Sequence, residues 1–136
     1  TFPIKTFTLE IGMRRPLGVG TGSLAILSAL PEEEIQKVVG ANSGRLPEYG
    51  LNPGALIALI KRSQKLGYAM REVPGLAGVR SVGQVLRNQS GIAFAALSVS
   101  TITSRMSEKR AVEVAQLLKG ESRQIERQLA TGADHR

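Results

Sequence analysis

Val79-Arg80-Ser81-Val82-Gly83-Gln84-Val85-Leu86-Arg87, then Asn88-Gln89-Ser90-Gly91, then Ile92-Ala93-Phe94-Ala95-Ala96-Leu97-Ser98-Val99-Ser100-Thr101, is the stretch that decides the fold. Two runs rich in β-branched and apolar residues flank a segment of turn-forming composition, the pattern of a β-hairpin. With an even-numbered loop the centre falls between Gln89 and Ser90. Ser81 then faces Ser98, Val79 faces Ser100 and Gly83 faces Ala96. Strand side chains alternate, so Ser81, Gly83, Ala96, Ser98 and Ser100 project from one face. Three hydroxyls stand there above a floor of small residues. The second strand is apolar on both sides, which predicts that both faces of the sheet are covered.

The flanking sequence supplies the layers. Upstream, Asn52-Pro53 opens a helix with an apolar stripe of Leu56, Ile57, Leu59 and Ile60, stopped by Gly67. Tyr68 to Arg71 reads as a short strand and residues 73–78 as a loop. Earlier, Ile4 to Ile11 alternates as a strand and Gly12 to Gly22 is turn-rich. A short buried helix then runs to about Leu30. Pro31-Glu32-Glu33-Glu34 begins another helix, with its acids at the positive end of the dipole, ending near Gly40. Residues 41–51 read as an irregular loop. Downstream, Ser107 caps a final helix with apolar positions Ala111, Ala115, Leu118, Ile125 and Leu129, interrupted by Ser122, and a polar tail follows about Leu129. The expected class is α+β: a mainly antiparallel sheet flanked by helices, forming one domain over residues 1–136.

Composition narrows the function. At 136 residues the chain can bury roughly two-thirds of its unfolded surface. No apolar run approaches about 18 residues, so no membrane partner is expected. The net charge of +7 raises nucleic-acid binding, but the basic residues are scattered and only 4% of residues are aromatic, too few to stack bases. Zero cysteines exclude disulfides and thiolate metal sites and fit a reducing cytoplasm. His135 is the sole histidine and lies in the tail, so neither a serine–histidine–acid triad nor a histidine metal site is expected, and no cofactor. The chain opens directly on a strand pattern without a signal-peptide layout, which suggests a fragment of a longer protein.

Gly18-Val19-Gly20-Thr21-Gly22-Ser23 precedes Leu24-Ala25-Ile26-Leu27. Free amides at the first turn of a helix attract negative charge, and glycines allow a close approach. The run is not a nucleotide loop: no Gly-Lys-Ser/Thr follows four spacers, and Ser23 stands where a dinucleotide fingerprint wants its third glycine. Thr21 and Gly22 carry the candidate amides, Ser81, Ser98 and Ser100 the hydroxyls, and Val79 the adjoining edge. Arg71, ending the neighbouring strand, could offer a planar charged fork to a carboxylate. Each part also has a plainer reading: serines bonded to backbone under a tight helix contact, a connector turn, a solvated arginine.

These residues resemble the C-terminal effector-binding domain of IclR-family bacterial transcription regulators, over about Phe2 to Leu129. Leu30-Pro31-Glu32-Glu33-Glu34 is similar to the family's Leu-Pro-Glu-Glu segment, and Leu66-Gly67-Tyr68-Ala69 to its Arg-Gly-Tyr-Ala. Pro74-Gly75-Leu76-Ala77-Gly78-Val79-Arg80-Ser81-Val82 is similar to its Gly-Val-Arg-Cys-Val block, continuing into Ala95-Ala96-Leu97-Ser98-Val99-Ser100. Ser104-Arg105-Met106-Ser107 resembles the lead into its last helix. The resemblance implies a GAF-like or profilin-like sensor of a small organic acid, downstream of a winged helix-turn-helix domain absent from this chain. It implies acid-binding roles for Thr21, Gly22, Ser81, Ser98 and Ser100. DNA would be reached only through the missing domain, and the protein would form a homodimer or homotetramer in the cytoplasm. Two departures stand out: Arg71 where the family usually has Asp, and Pro74 where it has Glu. An arginine at that edge favours a more anionic ligand, a dicarboxylate or an aromatic acid. The turn also has Ser23-Leu24 in place of Gly-Lys. The competing readings are an oligomerisation module with no functional ligand, its final helix making the contact, and a small-molecule hydrolase acting through Ser98.

Overall fold

The computed structural model describes residues 11–72 and 77–133. The strand expected over Ile4 to Ile11 lies outside these residues except for Ile11, which sits in a turn. The elements run α1 (Thr21–Ser28), α2 (Glu32–Asn42), a 3-10 turn (Leu46–Tyr49), α3 (Pro53–Leu66), β1 (Ala69–Glu72), β2 (Val79–Arg87), β3 (Ala93–Ile102), a 3-10 turn (Thr103–Arg105) and α4 (Glu108–Ala133). The described strands form an antiparallel sheet in the order β1-β2-β3. The class is α+β, as the sequence pattern implies.

Two apolar clusters hold the layers together. On one face of the sheet, Val19, Leu24, Leu27, Leu56, Ile60 and Ala69 are buried between α1, α3 and β1. On the other, Met70, Val82, Met106, Ala111, Ala115 and Leu118 are buried under α4. An isolated helix of eight residues is unstable in water, so α1 exists because Leu24 and Leu27 are fully buried, each contributing about 1.5–3 kcal/mol. Gly18 makes that packing possible. Its φ is +104°, and a Cβ there would lie 2.8 Å from Leu27 Cδ2 and 2.9 Å from Leu56 Cδ1.

The helix boundaries follow local chemistry. Asn52 Oδ1 accepts from the Ala55 N–H (2.8 Å) with Pro53 in the first turn, and Gly67 closes α3 at φ +82°. Ser107 Oγ accepts from the Arg110 N–H at the start of α4 (3.1 Å). Helix α2 continues to Asn42, and α4 runs to Ala133, past the end expected near Leu129.

The hairpin register differs from expectation by two residues. Ser81 faces Ser100, Val79 faces Ile102 and Gly83 faces Ser98. Two odd residues cause this. The loop is three residues long: Asn88 N–H donates to Ile92 C=O (2.9 Å), and Gly91 takes the left-handed conformation at φ +78°. Leu86 then pairs with Ala95 and Arg87 with Ala93, so Phe94 is an extra residue in β3. Each moves the pairing by one step, and two steps leave every side chain on its expected face with a new partner. Coverage of the sheet also differs. Ser81, Val82, Gly83 and Gln84 are buried from both sides, whereas Ser98, Val99, Ser100 and Ile102 on β3 are exposed.

Candidate functional site

The seven residues singled out from sequence lie on one face of the sheet, around the start of α1. Arg71, Ser81 and Ser100 form one row across the three strands, and Ala69, Gly83 and Ser98 form the next. Val79, half-buried and opposite Ile102, begins the row beyond Ser81. Helix α1 sits directly on this floor. A Cβ at Gly83 would lie 3.1 Å from the Thr21 carbonyl oxygen, so only glycine lets the first turn come so close. A Cβ at Gly22 would stand 3.6 Å from Ala96 Cβ and 4.0 Å from Ser98 Oγ, which places Gly22 over the serine row. The small residues of β2 and β3 thus admit the helix tip itself.

Ser23 shapes the turn, a role that sequence reading missed. Its Oγ accepts from the Gly18 and Gly20 N–H groups (3.1 and 3.2 Å) and donates to the Gly20 carbonyl (3.0 Å). A serine at the third helical position reaching back to the cap is a recognisable signal. With those amides taken, the N–H groups of Thr21, Gly22 and Ser23 donate to no partner among the described residues. They point outward from the positive end of α1.

The three serines are not equivalent. Ser81 is only 3% exposed, and its hydroxyl accepts from Ser100 Oγ at 3.0 Å. Ser98 and Ser100 are exposed, so the described face is open rather than a sealed hollow.

Arg71 reaches the face, but through backbone. Its Nη1 donates to the Val19 carbonyl (2.9 Å), two residues before Thr21, and its Nε donates to the Glu72 carbonyl (3.2 Å). The Glu72 carboxylate pairs instead with Arg80 (3.2 Å), on the α4 side of the sheet. Among the described residues no carboxylate meets Arg71. Burial pushes its guanidinium below the ordinary arginine value, because desolvation disfavours the charged form. A guanidinium in this setting attracts negative charge. The carbonyl of Val19 could not be read as its partner from sequence, since 52 positions separate the two.

A separate cleft of about 270 Å³ opens at the other end of α1, lined by residues that include Ala25, Ala29, Gly67 and Val85. None of the seven candidate residues lines it. Among the described residues there is no cluster of three metal-ligating side chains, and no helix is long and apolar enough to cross a membrane.

Comparison with known proteins bears on this geometry. Residues 5–127 match the family model for the bacterial transcriptional regulator IclR C-terminal domain. The HTH-type transcriptional repressor AllR of Escherichia coli K12 is 25% identical over 117 residues, covering 85% of this chain and 43% of AllR. The chain therefore spans less than half the length of that relative. In three dimensions the C-terminal domain of E. coli KdgR superposes with a TM-score of 0.73 at 24% identity, over 86% of this chain and 73% of that one. The repressor BlcR of Agrobacterium tumefaciens gives 0.73 at 20% identity, over 90% and 51%. These relatives are regulators, not enzymes, and the hydrolase reading through Ser98 falls with that finding. From the motifs, the fold and the extent of the match, this chain belongs to the IclR C-terminal family of bacterial transcriptional regulators.

Proposed function

We propose that this chain is the ligand-sensing part of a transcriptional regulator and that it binds a small carboxylate over the α1 end of the sheet. The Thr21 and Gly22 amides receive one end of the acid. The hydroxyls of Ser81, Ser98 and Ser100 line its flank, Val79 borders it, and Arg71 turns from the Val19 carbonyl toward the negative charge. The observation that carries this reading is Arg71: a half-buried guanidinium that meets no carboxylate among the described residues, in the same row as the Ser81–Ser100 pair. A charge so placed gains more from an anion than a solvated arginine does. The cation favours dicarboxylates or aromatic acids over the smallest acids.

In the full regulator, operator DNA is read by a winged helix-turn-helix domain outside residues 1–136, and the assembly is a cytoplasmic homodimer or homotetramer. The acid shifts the regulator between DNA-binding states by its different affinity for them. Thermal denaturation of the chain with acetate, oxalate, succinate, benzoate and phthalate tests the sensor. At least one diacid or aromatic acid should raise the melting temperature in a saturable way, and Arg71→Ala should abolish the rise. No stabilisation by any acid refutes carboxylate sensing.

The oligomerisation reading has its own observation. Val112 and Leu117 on α4 are 49% and 64% exposed, apolar groups on the outer surface of the last helix. Sedimentation of Leu117→Glu beside the unaltered chain tests it. A loss of the larger species places the contact on α4, and an unchanged profile removes it from there.

A further inference from the structure

The cleft at the far end of α1 contains an unfinished piece of β-ladder. In an antiparallel pair, successive residues direct their N–H and C=O groups alternately to the two neighbouring strands. Thr103 N–H donates to the Gly78 carbonyl (2.8 Å), so the even-numbered residues of β2 bond to β3. Its odd-numbered residues face β1, and Ser81 and Gly83 meet Arg71 and Ala69 there. Arg87 agrees, its N–H leaving the sheet to donate to Glu126 Oε1 on α4 (2.8 Å).

Val85 is the exception. Its partner in this register would be Gly67, but β1 begins at Ala69, and Gly67 gives its N–H to the Ser63 carbonyl as the cap of α3 (2.9 Å). Among the described residues no backbone group meets this edge of Val85. The edge opens on the 270 Å³ cleft, where Ala25, Ala29 and Gly67 present little bulk. That volume is at the small end for a ligand site. Arg87 is the charged residue of the lining, which disfavours a cationic ligand.

We propose that this cleft is a second binding site, separate from the anion face, for one extended residue flanked by amides, as in an N-acyl amino-acid amide or a peptide. The N–H of that residue donates to the Val85 carbonyl, its carbonyl accepts from the Val85 N–H, and a small aliphatic side chain enters between Ala25 and Ala29. The pair of bonds adds one rung to the β1–β2 ladder beyond Ala69.

Titration of the ¹⁵N-labelled chain with N-acetyl-alanine N-methylamide tests this. The expected result is a saturable shift centred on the Val85 and Gly67 amides, with a dissociation constant on the order of 1 mM, as suits so small a molecule. O-acetyl-lactic acid N-methylamide, which replaces the donating N–H with an ester oxygen, should bind at least tenfold more weakly. Ala29→Leu fills the cleft and should abolish the shift. A three-alanine homologue binding tenfold tighter identifies a polypeptide strand as the natural source, and equal binding a free small amide. No saturable shift, equal binding of the ester, or shifts centred on Thr21 and Gly22 would overturn the proposal.

Discussion

Gly22→Ala separates ligand binding from folding at the helix tip. The added Cβ meets Ala96 Cβ at 3.6 Å and Ser98 Oγ at 4.0 Å, ordinary van der Waals distances that demand no movement. Gly22 has no positive φ, so alanine fits the backbone without strain. Replacing a helical glycine with alanine gains about 0.5–1 kcal/mol, with the lower end apt for the first turn. For a domain of this size that raises the melting temperature by about 2 °C. The same methyl group narrows the approach to the α1 amides beside the serine row, where the proposed carboxylate would bind. Affinity for any acid that stabilises the parent chain should fall at least tenfold, about 1.4 kcal/mol. Thermal melts and isothermal titration on the two proteins read both effects. A lower melting temperature would show that the helix tip lacks this room. A stable variant that still binds the acid would place the ligand elsewhere.

Arg71→Ala should weaken acid binding more than tenfold, yet change the ligand-free stability by no more than about 1 kcal/mol, because losing the bond to Val19 is offset by removing a cation that burial desolvates. Calorimetric titration and urea unfolding measure the two sides. Gly83→Ala should destabilise by about 1–3 kcal/mol, since its Cβ meets the Thr21 carbonyl at 3.1 Å and the backbone must give way. An unchanged unfolding midpoint would contradict that contact. Ser81→Ala should cost about 1 kcal/mol by removing the acceptor of the Ser100 hydroxyl, whereas Ser98→Ala, at an exposed position, should leave the midpoint nearly unchanged and reduce only acid affinity.

Features written in local chemistry were legible in the sequence. Asn52-Pro53, Gly67 and Ser107 mark helix ends with residues whose geometry permits little else, and β2 begins and ends as its alternation implies. The shared face of Ser81, Ser98 and Ser100 was legible because strand periodicity survives a two-residue change of register. Their pairing was not, because it hinges on Gly91 taking a left-handed conformation and on Phe94 being squeezed out of the ladder, choices that depend on packing beyond the turn. The role of Arg71 was half legible. Its position beside the hairpin follows from strand order, but its bond to Val19 depends on how α1 settles on Gly83. The cleft behind α1 left no sequence signal, since it arises where the cap at Gly67 keeps β1 from extending along β2.

A crystal structure of the chain soaked with the most stabilising carboxylate tests the central claim most directly. The account predicts the acid on the α1 end of the sheet, its oxygens within hydrogen-bond distance of the Thr21 and Gly22 amides and of at least one of Ser81, Ser98 and Ser100, with the Arg71 guanidinium turned to it. Density for the acid elsewhere, with Arg71 still held by the Val19 carbonyl, would contradict it.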